Sequence, residues 1–174
     1  MPGGKMIIGI TGHRPNKLGG YDDKHNRAES IKQILKEIFM EKKPSCVVSG
    51  MALGVDQWAV EVALDLNIKV LALIPCKGQE IKWPYPAQVK YKELLNFIAD
   101  NGGSVEYISN EFYNLALHQM AARNQKIVDY STDIIAVWDR SWGGTGSCVR
   151  LARLAHRPIT IIHPQTLEIV NETV

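Results

Sequence analysis

The chain is poor in cysteine: Cys46, Cys76 and Cys148 are all it has. They are odd in number, widely spaced and without a C-x-x-C pair. That excludes a disulfide framework and points to a reducing, cytoplasmic setting. The five histidines, His13, His25, His118, His156 and His163, show no H-x-x-x-H spacing and no clustering with cysteine, so no metal site is expected. No apolar run approaches the roughly 18–20 residues that cross a bilayer, and the first residues lack a signal-peptide pattern, so no membrane partner is expected. An excess of charge of one sign is missing too, with 20 Lys and Arg against 18 Asp and Glu. Non-specific nucleic-acid binding calls for a basic stripe or a strongly basic domain, which leaves nucleic acid a poor partner and a small basic pocket still open. Neither G-x-G-x-x-G nor G-x-x-x-x-G-K-[ST] occurs. Dinucleotide dehydrogenases and P-loop enzymes are therefore excluded on spacing.

What is present is regular. At 174 residues and 45% hydrophobic content, the chain suffices for one sizeable core and is short for two domains. A single domain over 1–174 is expected, with its core at about 6–164. Short apolar runs at 6–10, 46–49, 70–74, 105–108, 134–138 and 158–162 read as strands. Between them, apolar residues at helical spacing predict helices at about 26–43, from 55, 89–99, 114–130 and 145–156, with a polar loop at 16–24 and a ragged tail after 164. Unbroken apolar strands alternating with helices imply a parallel sheet covered on both faces. The expected fold is α/β: a Rossmann-like, doubly wound, mostly parallel sheet of about six strands with helices on both faces.

In such a sheet the strand-to-helix loops share the carboxyl edge, where ligands bind. Three of these loops are unusual: Thr11-Gly12-His13-Arg14-Pro15, Gly50-Met51-Ala52-Leu53-Gly54-Val55-Asp56, and the turn Gly143-Gly144-Thr145-Gly146-Ser147. A glycine-rich turn at a helix N-terminus aims free N–H groups at one point and suits an anion. Asp56, in the first turn of its helix, either complements the dipole or accepts hydrogen bonds from ribose hydroxyls. On the helix at 114–130, the spacing of Ala116, Met120 and Ile127 places Arg123 on an inward stripe. Leu117, Ala121 and Val128 do the same for Asn124. An inward arginine must be paired or hydrogen-bonded, either by a structural carboxylate or by an anionic ligand. Trp83 and Trp142, in loops at the same edge, either stack on a base or cap the core. Arg150, Arg153 and Arg157 form a solvated stripe by default, with Arg150 close to the glycine turn.

In order along 6–164, these motifs, with Gln57-Trp58-Ala59, Arg123-Asn124 and Trp138-Asp139, resemble the SLOG superfamily. That group includes DNA-processing protein A and the "lonely guy" phosphoribohydrolases, and the closest resemblance is to the YpsA-like branch of Firmicutes and phages. The resemblance implies a Rossmann-like fold that binds nucleotides or nucleotide-derived molecules. The ligand-binding residues expected on it and on the motifs are Thr11, Gly12, His13, Arg14, Gly50, Gly54, Asp56, Arg123, Asn124, Gly143, Gly144, Thr145, Gly146, Ser147 and Arg150. In the lonely-guy enzymes a Pro-Gly-Gly-x-Gly-Thr-x-x-Glu motif binds phosphate and supplies the catalytic Glu. Here Trp142 replaces the Pro, Ser147 the Thr and Arg150 the Glu. A guanidinium cannot act as that carboxylate.

The leading expectation is a protein that binds an ADP-ribose-, NAD- or nucleoside-phosphate-like molecule for sensing or sequestration. It requires no cofactor, and the resemblance implies a homo-oligomer. The alternative is hydrolysis or transfer at a nucleotide N-glycosidic bond with Asp56, Asp139 or Glu61 as the catalytic carboxylate. A third is single-stranded DNA binding through the same edge.

Overall fold

The computed structural model describes residues 4–20, 26–113 and 117–173. Its strands are β1 (Ile7–Gly12), β2 (Cys46–Ser49), β3 (Lys69–Ile74), β4 (Ser104–Tyr107), β5 (Asp133–Val137), β6 (Ile159–Ile162) and β7 (Ile169–Glu172). The helices are α1 (Asn26–Lys42), α2 (Val55–Asp65), α3 (Tyr85–Asp100), α4 (Leu117–Tyr130) and α5 (Gly144–Leu154). A 3-10 turn, Pro15–Lys17, lies in the polar loop. The start of that loop's second half (21–25) and of the expected fourth helix (114–116) fall outside the described residues.

The strands form one sheet in the order β4-β3-β2-β1-β5-β6-β7, parallel except for β7. Side chains alternate between two cores, which is why the strands read as unbroken apolar runs. Ile8, Ile10, Val47, Ile135 and Val137 face α1, α2 and α3. Val48, Ile134 and Ala136 face the other way, onto Ile127, Val128, Cys148, Val149 and Ala152 of α4 and α5. The doubly wound architecture is as expected.

Two details differ. The sheet has seven strands rather than six, because the tail returns as β7 antiparallel to β6. Only Ile169 and Val170 are apolar there and the strand lies at the edge, so no hydrophobic run announces it. Helix α3 begins at Tyr85, four residues before the expected start, with Pro86 in its first turn. Proline is tolerated there because the amide it lacks has no helical partner.

From β1 to β4 the chain steps outward in one direction; α4 then carries it back across to β5 on the other side of β1. The carboxyl ends of β1 and β5 therefore sit side by side while their following loops diverge. A crevice opens between them, at the switch point where α/β sheets hold ligands.

Candidate functional site

The crevice is built from the loops after β1, β2 and β5 and from helices α4 and α5. After β1, the His13 amide extends the ladder by donating to Val137 O at 3.2 Å. Its ring, only 6% exposed, reaches across to the loop after β5. There Nε2 lies 2.8 Å from Asp139 Oδ1 and 3.0 Å from the Asp139 amide nitrogen. One nitrogen cannot serve both at once: protonated, it donates to the carboxylate; unprotonated, it accepts from the amide. Burial lowers the His13 pKa, against the pull of Asp139. Burial opposes ionisation of Asp139 as well, yet hydrogen bonds from Ser141 and from His13 prevail and hold its carboxyl below the usual range. The Ser141 amide donates to Asp139 Oδ1 at 2.9 Å, Trp138 Nε1 donates to Ser141 O at 2.8 Å, and Lys17 Nζ donates to Ser141 Oγ. The loops after β1 and β5 are laced together at the mouth.

The loop from β2 to α2 forms the opposite wall. Ser49 Oγ donates to Asp56 O at 2.9 Å and accepts from the Met51 amide at 3.1 Å; Asp56 Oδ2 accepts from the Ala52 amide at 3.3 Å. One Asp56 oxygen thus ties its own loop. Asp56 is 5% exposed, and burial raises its pKa against the nearby Arg123 and the Ala52 amide. Gly50 and Gly54 permit close approach. A Cβ at Gly50 would lie 2.1 Å from Arg123 Nη1, and one at Gly54, where φ is +93°, would lie 2.6 Å from His13 O.

Helix α4 supplies Arg123 and Asn124, both buried as their spacing predicts. Arg123 Nη1 donates to Gly50 O at 3.0 Å and Nε to Asn124 Oδ1 at 3.1 Å, while Asn124 Nδ2 donates to Gly144 O at 3.2 Å. Arg123 takes part in none of the ion pairs among the described residues. Asp56 acts on it through space, and burial lowers its pKa. Helix α5 closes the site. Gly143, at φ +148°, turns the chain into it, and the first helical bond among its amides runs from Ser147 N to Gly143 O.

Together these residues line a cleft of about 320 Å³, within the range of small-molecule sites. Of the residues expected to bind ligand, it brings together Thr11, Gly12, His13, Arg14, Asp56, Arg123, Asn124, Gly143, Gly144, Thr145 and Gly146. It does not include Gly50 and Gly54, which hold the walls, nor Ser147 and Arg150, which face a neighbouring depression. Glu61 is placed elsewhere altogether. It sits farther along α2, paired with Lys32 Nζ at 3.1 Å and with Lys90, because its turn of the helix faces α1 and α3. Trp83 packs edge-on against Tyr91, with ring centroids 5.3 Å apart, and caps the core. Trp142 lines the cleft and is 99% exposed. Sequence reasoning missed Asn16, Lys17 and Ser141, single polar residues in loops with no local pattern to mark them. Among the described residues no cluster of His, Cys, Asp and Glu could hold a metal, and no helix is long and apolar enough to cross a membrane.

A family model described as the YspA SLOG family matches residues 8–163, nearly the whole chain. The chain belongs to the YspA SLOG family. A UPF0398 protein of Shouchella clausii is 28% identical over 145 residues, 78% of this chain and 74% of its own. One from Bacillus thuringiensis is 27% identical over 147 residues, 80% and 77% of the two chains. Among solved structures, DNA processing protein A from Streptococcus pneumoniae superposes with a TM-score of 0.66 at 17% identity, covering 91% of this chain and 50% of that one. The Helicobacter pylori protein, described by its single-stranded DNA binding mode, gives 0.65 at 25% identity over 90% and 64%. The molybdenum cofactor carrier protein of Chlamydomonas reinhardtii gives 0.54 at 19% identity, over 90% and 75%. The chain thus spans between half and two thirds of the two DNA-processing proteins.

For this YspA SLOG member the cleft offers a definite chemistry. A buried guanidinium and the amide end of α5 favour an anion, while Asp56 and Asp139 offer carboxylate acceptors near by.

Proposed function

We propose that the cleft binds a nucleotide or nucleotide-derived molecule, in a sensing or sequestering role. The observation that carries this reading is Arg123: 6% exposed, lining the cleft, held by neutral partners and in no ion pair among the described residues. A guanidinium so buried is costly unless an anion completes it. A phosphoryl group between Arg123 and the first amides of α5 meets that need. Asp56, on the opposite wall, then faces the ribose hydroxyls. A homo-oligomer is part of the same reading, and native mass spectrometry of freshly purified protein reports both subunit number and any retained nucleotide.

The test uses Gly144, where an added Cβ meets no protein atom within 4 Å. Gly144→Val therefore adds bulk at a position that lines the cleft, with its Cβ in open space. In calorimetry against AMP, ADP-ribose, NAD and cyclic nucleotides, the wild-type chain binds at least one of them and Gly144→Val weakens it by at least about tenfold with an unchanged melting temperature. No binding by the wild type up to millimolar ligand overturns the reading.

One observation favours a second reading. Asp56 combines a raised pKa with a place in the cleft, which is how catalytic acids are prepared. If the chain cleaves an N-glycosidic bond, chromatography of nucleotide incubations shows free base, and Asp56→Asn abolishes its release. Absence of turnover removes this reading and leaves binding untouched.

A further inference from the structure

The cleft does not end at Trp142. Beyond it lies a second depression of about 360 Å³, lined by Trp138, Arg140, Ser147 and Arg150 and sharing Ser141, Trp142, Gly143 and Gly146 with the first. Trp142 lines both, and at 99% exposure it is the most exposed of the large hydrophobic side chains among the described residues. An indole with both faces in water is a ready stacking surface, since burying it against a second ring is favourable.

The charge of this depression is one-sided. Arg140 and Arg150 line it and no carboxylate does. Neither arginine takes part in an ion pair among the described residues. Arg140 also holds a φ of 68°. Several other non-glycine residues with positive φ, Lys43, Asn67 and His156, lie just past helix ends, where that conformation closes the helix; Arg140 does not. Trp138 beneath is fixed by its bond to Ser141 O and by Arg153, whose guanidinium carbon is 5.8 Å from the ring centroid. The floor is thus held by these contacts, while Arg150 and the indole are exposed above it and Arg140 is exposed with its charge felt by Glu172.

Resting on the nucleotide reading above, we propose that the ligand is a dinucleotide, two nucleotides joined through their phosphates. The first nucleotide occupies the cleft at Arg123. The linking phosphates cross the glycine turn toward Arg150 and Arg140, and the second base stacks on Trp142. A mononucleotide fills only the first half.

Calorimetry with AMP and NAD as probes tests this on the wild-type chain and on Trp142→Ala and Arg150→Ala. NAD binds wild type at least about tenfold tighter than AMP, as one stacked base and one phosphate contact imply. Arg150→Ala, outside the first cleft, loses most of that advantage while AMP affinity stays within about twofold, and Trp142→Ala, at a residue that lines both depressions, weakens NAD several-fold more than AMP. Both side chains are exposed, so the melting temperature does not move. Equal affinity for AMP and NAD in the wild type, or variants that weaken both equally, overturns the two-part ligand and leaves the cleft reading standing. Binding of neither probe overturns both. A third arm uses single-stranded oligothymidylate: salt-dependent binding that Trp142→Ala abolishes, with no preference for NAD, assigns the depression to single-stranded nucleic acid and overturns the proposal.

Discussion

At Gly50 two demands meet. Its carbonyl accepts from Arg123 Nη1 and, at 3.2 Å, from Gln79 Nε2, and its missing side chain leaves room for that same guanidinium. Gly50→Ala forces Arg123 away. It should cost about 1–3 kcal/mol in urea denaturation, as overpacking does, and reduce AMP affinity in parallel; a neutral substitution would show that Arg123 is freely movable. His13 carries a pH signature. Its folded pKa lies below the ordinary 6.5, so the unfolded chain binds protons first as pH falls. The stability it contributes is complete above pH 6.5 and is lost as pH drops through the folded pKa. Asp139, lowered from 3.8, adds a second loss below that value. In His13→Gln the acid slope just below pH 6.5 should flatten, so the stability gap to wild type narrows with falling pH. A gap that widens would mean the buried ring is favoured in its charged form.

Elements carried most of what was legible in the sequence. The 3.6-residue period alone put Arg123 and Asn124 inward on α4, since burial on a helix is a local property. Glycine turns marked the starts of α2 and α5 for the same reason. The place of Glu61 outside the cleft was not legible, because helical position alone does not show which neighbour a polar face meets, and α3 brings Lys90 to it. Lys17 and Ser141 are 124 residues apart, and nothing local couples them. The strand β7 was invisible because an edge strand needs little apolar surface. Its hold on α5 is nonetheless specific: Arg153 Nε and Nη2 donate to Glu172 at 2.9 and 2.7 Å. Because this pair is partly exposed, a double-mutant cycle of Arg153→Ala and Glu172→Ala should give a coupling of no more than about 1 kcal/mol, shrinking in salt. A coupling of several kcal/mol would make β7 part of the core.

Across the whole molecule, winding order decides where the site lies. The switch between β1 and β5 creates one crevice, and each wall is a loop fixed by a central strand. A ligand there stabilises the folded chain by mass action, by about 2.7 kcal/mol at a hundredfold excess over Kd. Hydrogen exchange should then slow most at 11–17, 50–56 and 138–147, with little change at α3. Uniform slowing over the chain would argue for binding elsewhere.

His13 and Asp139 face each other across 126 positions of sequence. The segment through α3 carries His13, Lys17 and Asp56; the segment from α4 onward carries Arg123, Asp139, Ser141 and the glycine turn. Neither segment owns the cleft at Arg123. The bound molecule is therefore a splint across a seam, and a chain cut between α3 and α4 should rejoin most firmly when that splint is supplied.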